Sequence, residues 1–306
     1  MATAFVTHPI YLKHDMKHGH PECPERLLAI QEQLVATDTL PRLQQYEAPR
    51  ATDDQLMRAH TESYVHEIKS AAPQQGLVCL DNDTAMNPFT LEAAYYAAGA
   101  VVLATDLVID KQVKNAFCAV RPPGHHATRN QAMGFCFFNN VAIGAAHALA
   151  HHGLQRVAIV DFDVHHGNGT EDIFQDEPRV LFCSTFQHPF YPYCGTDSGG
   201  DHIINVPLAA HTNGQAFRVA VTHYWLPALE AFKPEIIFIS AGFDAHREDT
   251  LAQLNLVEAD YVWITRQIMA IAEKHAQNRI VSVLEGGYAL GALGRSVTAH
   301  IRTLAE

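Results

Sequence analysis

The chain has no Cys-x-x-Cys pair, and its six cysteines (Cys23, Cys79, Cys118, Cys136, Cys183 and Cys194) are scattered. This excludes a zinc ribbon and a dense disulfide framework, and it points to reduced, mainly structural thiols in a cytoplasmic protein. Positive charge is scarce: 21 Lys and Arg face 33 Asp and Glu, a formal net charge of -12 over 306 residues. General nucleic-acid binding needs a basic surface, so no direct nucleic-acid partner is expected. A negative field does favour a cationic substrate. No apolar run approaches the length of a membrane span, so no membrane partner is expected. Residues 1–8 lack the basic and apolar stretches of a signal peptide. Internal repeats, low-complexity tracts and linkers are missing too, and one domain over 1–306 is the economical reading.

What the chain has is histidine, 20 residues, and apolar side chains, 48% of the total. Apolar, β-branched runs predict strands over 4–7, 116–120, 157–160, 180–184, 203–206, 236–241 and 280–284. Helical patterns cover 27–34, 56–68, 91–109, 141–150, 215–232 and 255–275, with a closing helix from about 293. Such alternation implies an α/β fold: a central parallel sheet flanked by helices on both faces. Within 56–68, His60 and Tyr64 fall one turn apart and read as a packed pair, and Asp81-Asn82-Asp83-Thr84 reads as an acidic turn. Arg26, just after Pro24 at a helix start, fits either a surface charge or a buried anchor.

The chain is organised around Val157-Ala158-Ile159-Val160-Asp161-Phe162-Asp163-Val164-His165-His166-Gly167-Asn168-Gly169. Its first half reads as a strand buried on both faces. In an extended chain, Asp161, Asp163 and His165 share one side, and a carboxylate and an imidazole two residues apart can converge on one metal ion. Three further polar clusters follow apolar strands: His125-His126, Asp244 and Tyr288. A solvated strand end explains any one of them. Ligands of an open parallel sheet, however, bind outside the carboxyl ends of its strands, so four clusters at four such ends should meet.

Chemistry then assigns roles. Asp163, His165 and Asp244 are three ligands that leave a position for water, the catalytic zinc arrangement. His125 and His126 offer a general base and a general acid, with Asp161 and Asn168 available to orient them. A carboxylate partner raises a histidine's pKa and an amide does not, so the two rings should be inequivalent. Tyr288 can donate to a developing oxyanion, on a loop freed by Gly286 and Gly287. Phe135, beside Gly134, and Phe190 or Tyr191 fit the walls of a narrow apolar slot or, equally, packed core. Together these parts describe metal-assisted hydrolysis of an amide.

Six stretches carry a family resemblance. They are His20-Pro21-Glu22-x-Pro24-x-Arg26, Arg121-Pro122-Pro123-Gly124-His125-His126, Gly134-Phe135-Cys136-Phe137-Phe138-Asn139, Asp161-x-Asp163-Val164-His165-His166-Gly167-Asn168-Gly169-Thr170, Ser240-Ala241-Gly242-Phe243-Asp244 and Glu285-Gly286-Gly287-Tyr288. In order and over nearly the whole chain, they resemble the zinc-dependent histone deacetylase superfamily. The likeness is strongest to the class II branch and to the bacterial histone deacetylase-like and acetylpolyamine amidohydrolases. The resemblance implies the arginase-deacetylase fold, zinc on Asp163, His165 and Asp244, His126 as the general base and Tyr288 as the carbonyl-polarising group. It implies a structural potassium ion near Asp161, held by main-chain oxygens of Asp163 and His165 and the Ser184 hydroxyl. It also implies an acyl-lysine tunnel lined by Gly134, Phe135 and an aromatic from Phe190-Tyr191. The 187–195 loop departs from the family's spacing and leaves that choice open. Asn168 replaces the aspartate of the class I branch. Leu251 falls nearest the position of a glutamate in polyamine-selective members, which favours an acetylated lysine peptide or protein as substrate over an acetylated polyamine.

The other readings are an acetylpolyamine deacetylase, a binuclear manganese hydrolase and a catalytically silent acyl-lysine binding module. A binuclear site wants more bridging carboxylates and has no place for His125-His126, and a silent module has no need of the intact tyrosine. Iron or cobalt can occupy the same ligands as zinc. The sequence leaves homo-oligomer formation open.

Overall fold

Val157–Asp161, Ile236–Ala241 and Ile280–Leu284 carry no polar face, so each strand must be covered on both sides. A computed structural model, which describes residues 2–197 and 199–306, shows how. The strands are β1 (Thr3–Thr7), β2 (Gln44–Glu47), β3 (Val78–Cys79), β4 (Ala85–Met86), β5 (Asn115–Cys118), β6 (Val157–Asp161), β7 (Val180–Gln187), β8 (Ile203–Leu208), β9 (Ile236–Ala241) and β10 (Ile280–Leu284). Eight of them form one parallel sheet in the order β2-β1-β5-β10-β9-β6-β7-β8, and β3 and β4 form a small antiparallel pair. The helices are α1 (Glu25–Ala36), α2 (Asp53–Leu56), α3 (Glu62–Ala71), α4 (Thr90–Ile109), α5 (Asn140–Ala150), α6 (Asn168–Phe174), α7 (Gly214–Ala220), α8 (Leu226–Phe232), α9 (Glu258–His275) and α10 (Leu290–Leu304). The α4–α5 pair covers one face of the sheet, while α1, α9 and α10 pack together on the other.

Several boundaries differ from the sequence reading, each for a local reason. The helix expected over 56–68 is two helices, because Thr61 Oγ1 accepts the Tyr64 backbone N–H and starts α3 afresh. His60 and Tyr64 still pack, with ring centroids 5.2 Å apart. The stretch 215–232 is helical but passes through a π turn, Val221–Trp225, just before Pro227, whose nitrogen has no hydrogen to donate. The helix expected from 255 begins at Glu258, since Asn255 and Leu256 form bridges to Asn213 and His246. The β2 strand was not legible: Gln-Gln-Tyr-Glu has no apolar alternation, and it lies at the sheet edge. One correction concerns membranes. The helix α4 is long and apolar enough, by length and composition, to cross one, but most of it is buried between α5 and the sheet, as a core helix is.

Candidate active site

The strands β5, β10, β9 and β6 are consecutive neighbours in the sheet, and the polar clusters follow their carboxyl ends. One ligand atom from each of Asp163, His165 and Asp244 lies within 4.8 Å of the others. Backbone donors hold the carboxylates: Gly286 N–H reaches Asp163 Oδ2 at 2.8 Å, and Val164 N–H reaches Asp244 Oδ1 at 3.0 Å. A Cβ on Gly286 would fall 1.9 Å from Asp244 Oδ2, so that glycine supplies space rather than the flexibility expected of it. Gly287, at φ +122°, supplies the conformation. Asp244 Oδ2 is buried without a hydrogen bond, 3.3 Å from His165 Nδ1. Burial and the Asp163 carboxylate push Asp244 up to about 6. Burial would lower His165, but Asp163 and Asp244 outweigh it and drive the ring up to about 10. An orphaned carboxylate oxygen beside a second carboxylate and an imidazole fits the donor set of a divalent cation.

The tandem histidines are inequivalent, as expected. His125 Nδ1 donates to Asp161 Oδ2 at 2.9 Å, and His126 Nδ1 donates to Asn168 Oδ1 at 2.7 Å. Burial opposes the charge on His125, yet Asp161 and Asp163 raise it to about 10. Burial and the neighbouring His125 and His165 hold His126 well below the ordinary imidazole value. His126 is therefore neutral, with Nε2 bare.

A cavity of about 260 Å³ leads to these groups, lined by Asp83, His126, Gly134, Phe135, His165, Phe190, Tyr191, Leu251 and Tyr288. Both members of the aromatic pair face it: Phe190 stacks on His165 at 5.5 Å, and Tyr191 stands edge-on to His126 at 5.2 Å. Gly134 lies against His126, where a Cβ would come within 2.5 Å of the ring. Phe135 adopts φ +69°, a costly left-handed conformation for a bulky side chain, and meets Tyr288 edge-on at 5.9 Å. Below the site, Asp161 and Ser184 are register partners across β6 and β7, and Ser184 Oγ is buried without a hydrogen-bond partner.

The supporting residues were given no definite role by the sequence, which left Arg26 open between a surface charge and a buried anchor. Glu285 Oε2 accepts N–H bonds from Gly124 and His125 at 2.7 and 3.1 Å, which fixes the tandem-histidine loop. Asp249 Oδ2 accepts the Tyr288 and Ala289 N–H groups at 2.6 and 3.1 Å. Arg26 is a buried anchor, donating to the carbonyls of Glu285 at 2.5 Å and Gly287 at 2.7 Å. Arg26 and Glu285 stand inside the motifs and Asp249 five residues after Asp244, which was the available signal.

The sequence model of the Histone deacetylase domain family matches residues 20–304. The chain belongs to this family. It is 38% identical over 302 residues to a "Probable deacetylase" of Archaeoglobus fulgidus, covering 96% of this chain and 83% of that one. It is 39% identical over 277 residues to the "Histone deacetylase-like amidohydrolase" of Pseudomonas aeruginosa, covering 88% and 73%. Among solved structures, the HD domain of HDA15 superposes with a TM-score of 0.94 at 34% identity, covering 100% of this chain and 90% of that one. The family member described here thus has the arginase-deacetylase fold as a single domain, and its family is one of deacetylases and amidohydrolases.

Proposed function

We propose that the chain hydrolyses the amide of an N-acylated lysine side chain, with zinc held by Asp163, His165 and Asp244. The observation that carries this is the convergence of those three ligand atoms within 4.8 Å at a cavity that also exposes His126. Zinc in that place supplies a Lewis acid that acidifies water and polarises the acyl carbonyl. His126, neutral at Nε2, accepts the proton of the attacking water. His125, held protonated by Asp161, keeps a positive charge beside the reacting carbonyl, and the pair returns a proton to the leaving amine. Burial raises the Tyr288 phenol well above its ordinary value, so it stays protonated and can donate to the oxyanion. Phe135, Phe190 and Tyr191 exclude water from the acyl chain, and Leu251 stands at the rim, 37% exposed. A potassium ion near Asp161, on main-chain oxygens of Asp163 and His165 and the Ser184 hydroxyl, is supported by the orphaned Ser184 Oγ. Six unpaired cysteines fit a cytoplasmic, reducing setting.

One observation favours a second reading. Asp83 lines the cavity, where a carboxylate suits the free ammonium of an acetylated polyamine. Comparing kcat/KM of zinc-loaded protein on an acetyl-lysine peptide and on an N-acetylated polyamine decides between them. Peptide preference supports the first reading, polyamine preference the second, and turnover of neither by the zinc-bound protein overturns both. Tyr288→Phe should lower kcat roughly 100-fold while zinc content, read by elemental analysis, stays unchanged.

A further inference from the structure

Among the described residues, a second group brings metal-binding side chains together: Asp106, His147, His151 and His152, with one ligand atom from each within 4.8 Å of the others. It lies away from the reaction. The helix α5 begins at Asn140, whose side-chain amide holds the Pro122 carbonyl in the catalytic loop region, and its 11 residues carry the chain about 16 Å back toward the start of β6, the opposite end of the strand from Asp161.

The cluster is built from two elements. His147 sits in the last turn of α5, His151 follows it at i+4 on the same face, and His152 comes next in the turn. Asp106 comes from α4, which packs along α5. His147 Nε2 and His152 Nε2 both approach Asp106 Oδ1 at 2.7 Å. The His147 and His151 rings stack at 4.8 Å, and the His152 ring stands edge-on to both. His147 is buried, Asp106 and His152 are half-buried and His151 is exposed, so the group is packed on one side and open to entering solute on the other.

We propose that these four residues form a second transition-metal site, tetrahedral with three nitrogens and one oxygen, that takes Zn2+ or a similar borderline divalent cation. The ion joins α4 to the end of α5 and acts as a staple for the fold, with no part in the chemistry. One neighbour opposes it: the Arg58 guanidinium touches His147 Nδ1. Metal on Nε2 leaves the ring proton on Nδ1, where it faces another donor. Arg58 must therefore swing toward the adjoining groove, which Arg129, Glu177 and Arg179 line with it. Removing that guanidinium should tighten the site.

The test is a Zn2+ titration of metal-free full-length protein against a chromophoric chelator. Wild type should take up two equivalents, and the double variant His151→Ala with His152→Ala should take up one. Arg58→Gln should bind the second equivalent several-fold more tightly. Asp163→Asn should lose the tight equivalent and keep the other, which separates this site from the catalytic one. Equal stoichiometry in wild type and the double variant overturns the proposal. So does an unchanged second affinity in Arg58→Gln, which carries the test should the double variant fail to fold.

Discussion

Glu22 is a buried carboxylate between two buried guanidiniums. Arg121 meets it through Nε at 2.5 Å and Nη2 at 2.8 Å, Arg26 through Nη1 at 3.1 Å, and His14 Nε2 lies 3.2 Å away. Neutralising it strands two positive charges in a dry interior. Glu22→Gln should cost about 3–5 kcal/mol, read by urea unfolding. Because Arg26 also holds the Glu285 and Gly287 carbonyls, the same variant should lower kcat through a misplaced Tyr288. The convergence of the candidate site's side chains was legible because part of it is local: Asp163 and His165 are two residues apart at a strand end. Glu22, Arg26 and Glu285 were legible only as members of motifs; the distant partners they hold, 99 to 261 residues away in the chain, were not. No pattern of nearby side chains reports such a partner.

Elements explain where ordinary propensity fails. Glycine inside a helix is normally improved by alanine by about 1 kcal/mol. In α4, however, a Cβ on Gly99 would lie 1.9 Å from the Pro49 carbonyl oxygen, so backbone must move. Gly99→Ala should therefore destabilise, by about 1–3 kcal/mol in thermal or urea unfolding. Two histidines lock neighbouring elements in their neutral form. His60 donates from Nδ1 to Thr128 O at 2.9 Å and accepts the Asn139 N–H on Nε2 at 2.9 Å, linking the turn before α3 to the cap of α5. His300 of α10 meets Thr265 of α9 at 2.6 Å and Ser282 of β10 at 2.8 Å. Burial lowers His60 to about 4 and His300 to about 3. As pH falls below about 6.5, the unfolded chain takes up protons that the folded one refuses. Stability should fall by up to about 1.4 kcal/mol per pH unit for each ring until the folded values are reached. His300→Asn should flatten that slope in unfolding measured from pH 7 to 4.5. The broken helix at 56–68 belongs to this scale too: the Leu56 to Ile68 periodicity was real, but the Thr61 cap competes with it and wins.

For the whole molecule, alternation of apolar strands and helical patterns was enough to read a parallel sheet with helices on both faces. Strand order was not legible, because apolar runs such as 157–160, 236–241 and 280–284 are interchangeable in composition. The net charge of -12 acts at this scale as a long-range field. For an acylated substrate with additional positive charges, kcat/KM should fall as salt rises from about 0.05 to 0.5 M, chiefly through KM. An uncharged acyl-amine should show little change, and equal salt dependence for both would contradict the steering. The place of β10 has one more consequence. It lies between β5 and β9, in the middle of the sheet, although it is the last strand of the sheet to be synthesised. On the ribosome, the chain must hold that slot unfilled, with the bare edges of β5 and β9 on either side, until residue 284 has emerged. For that interval the nascent sheet is two half-sheets, each offering an apolar edge to other strands, and protection by a chaperone matters most then.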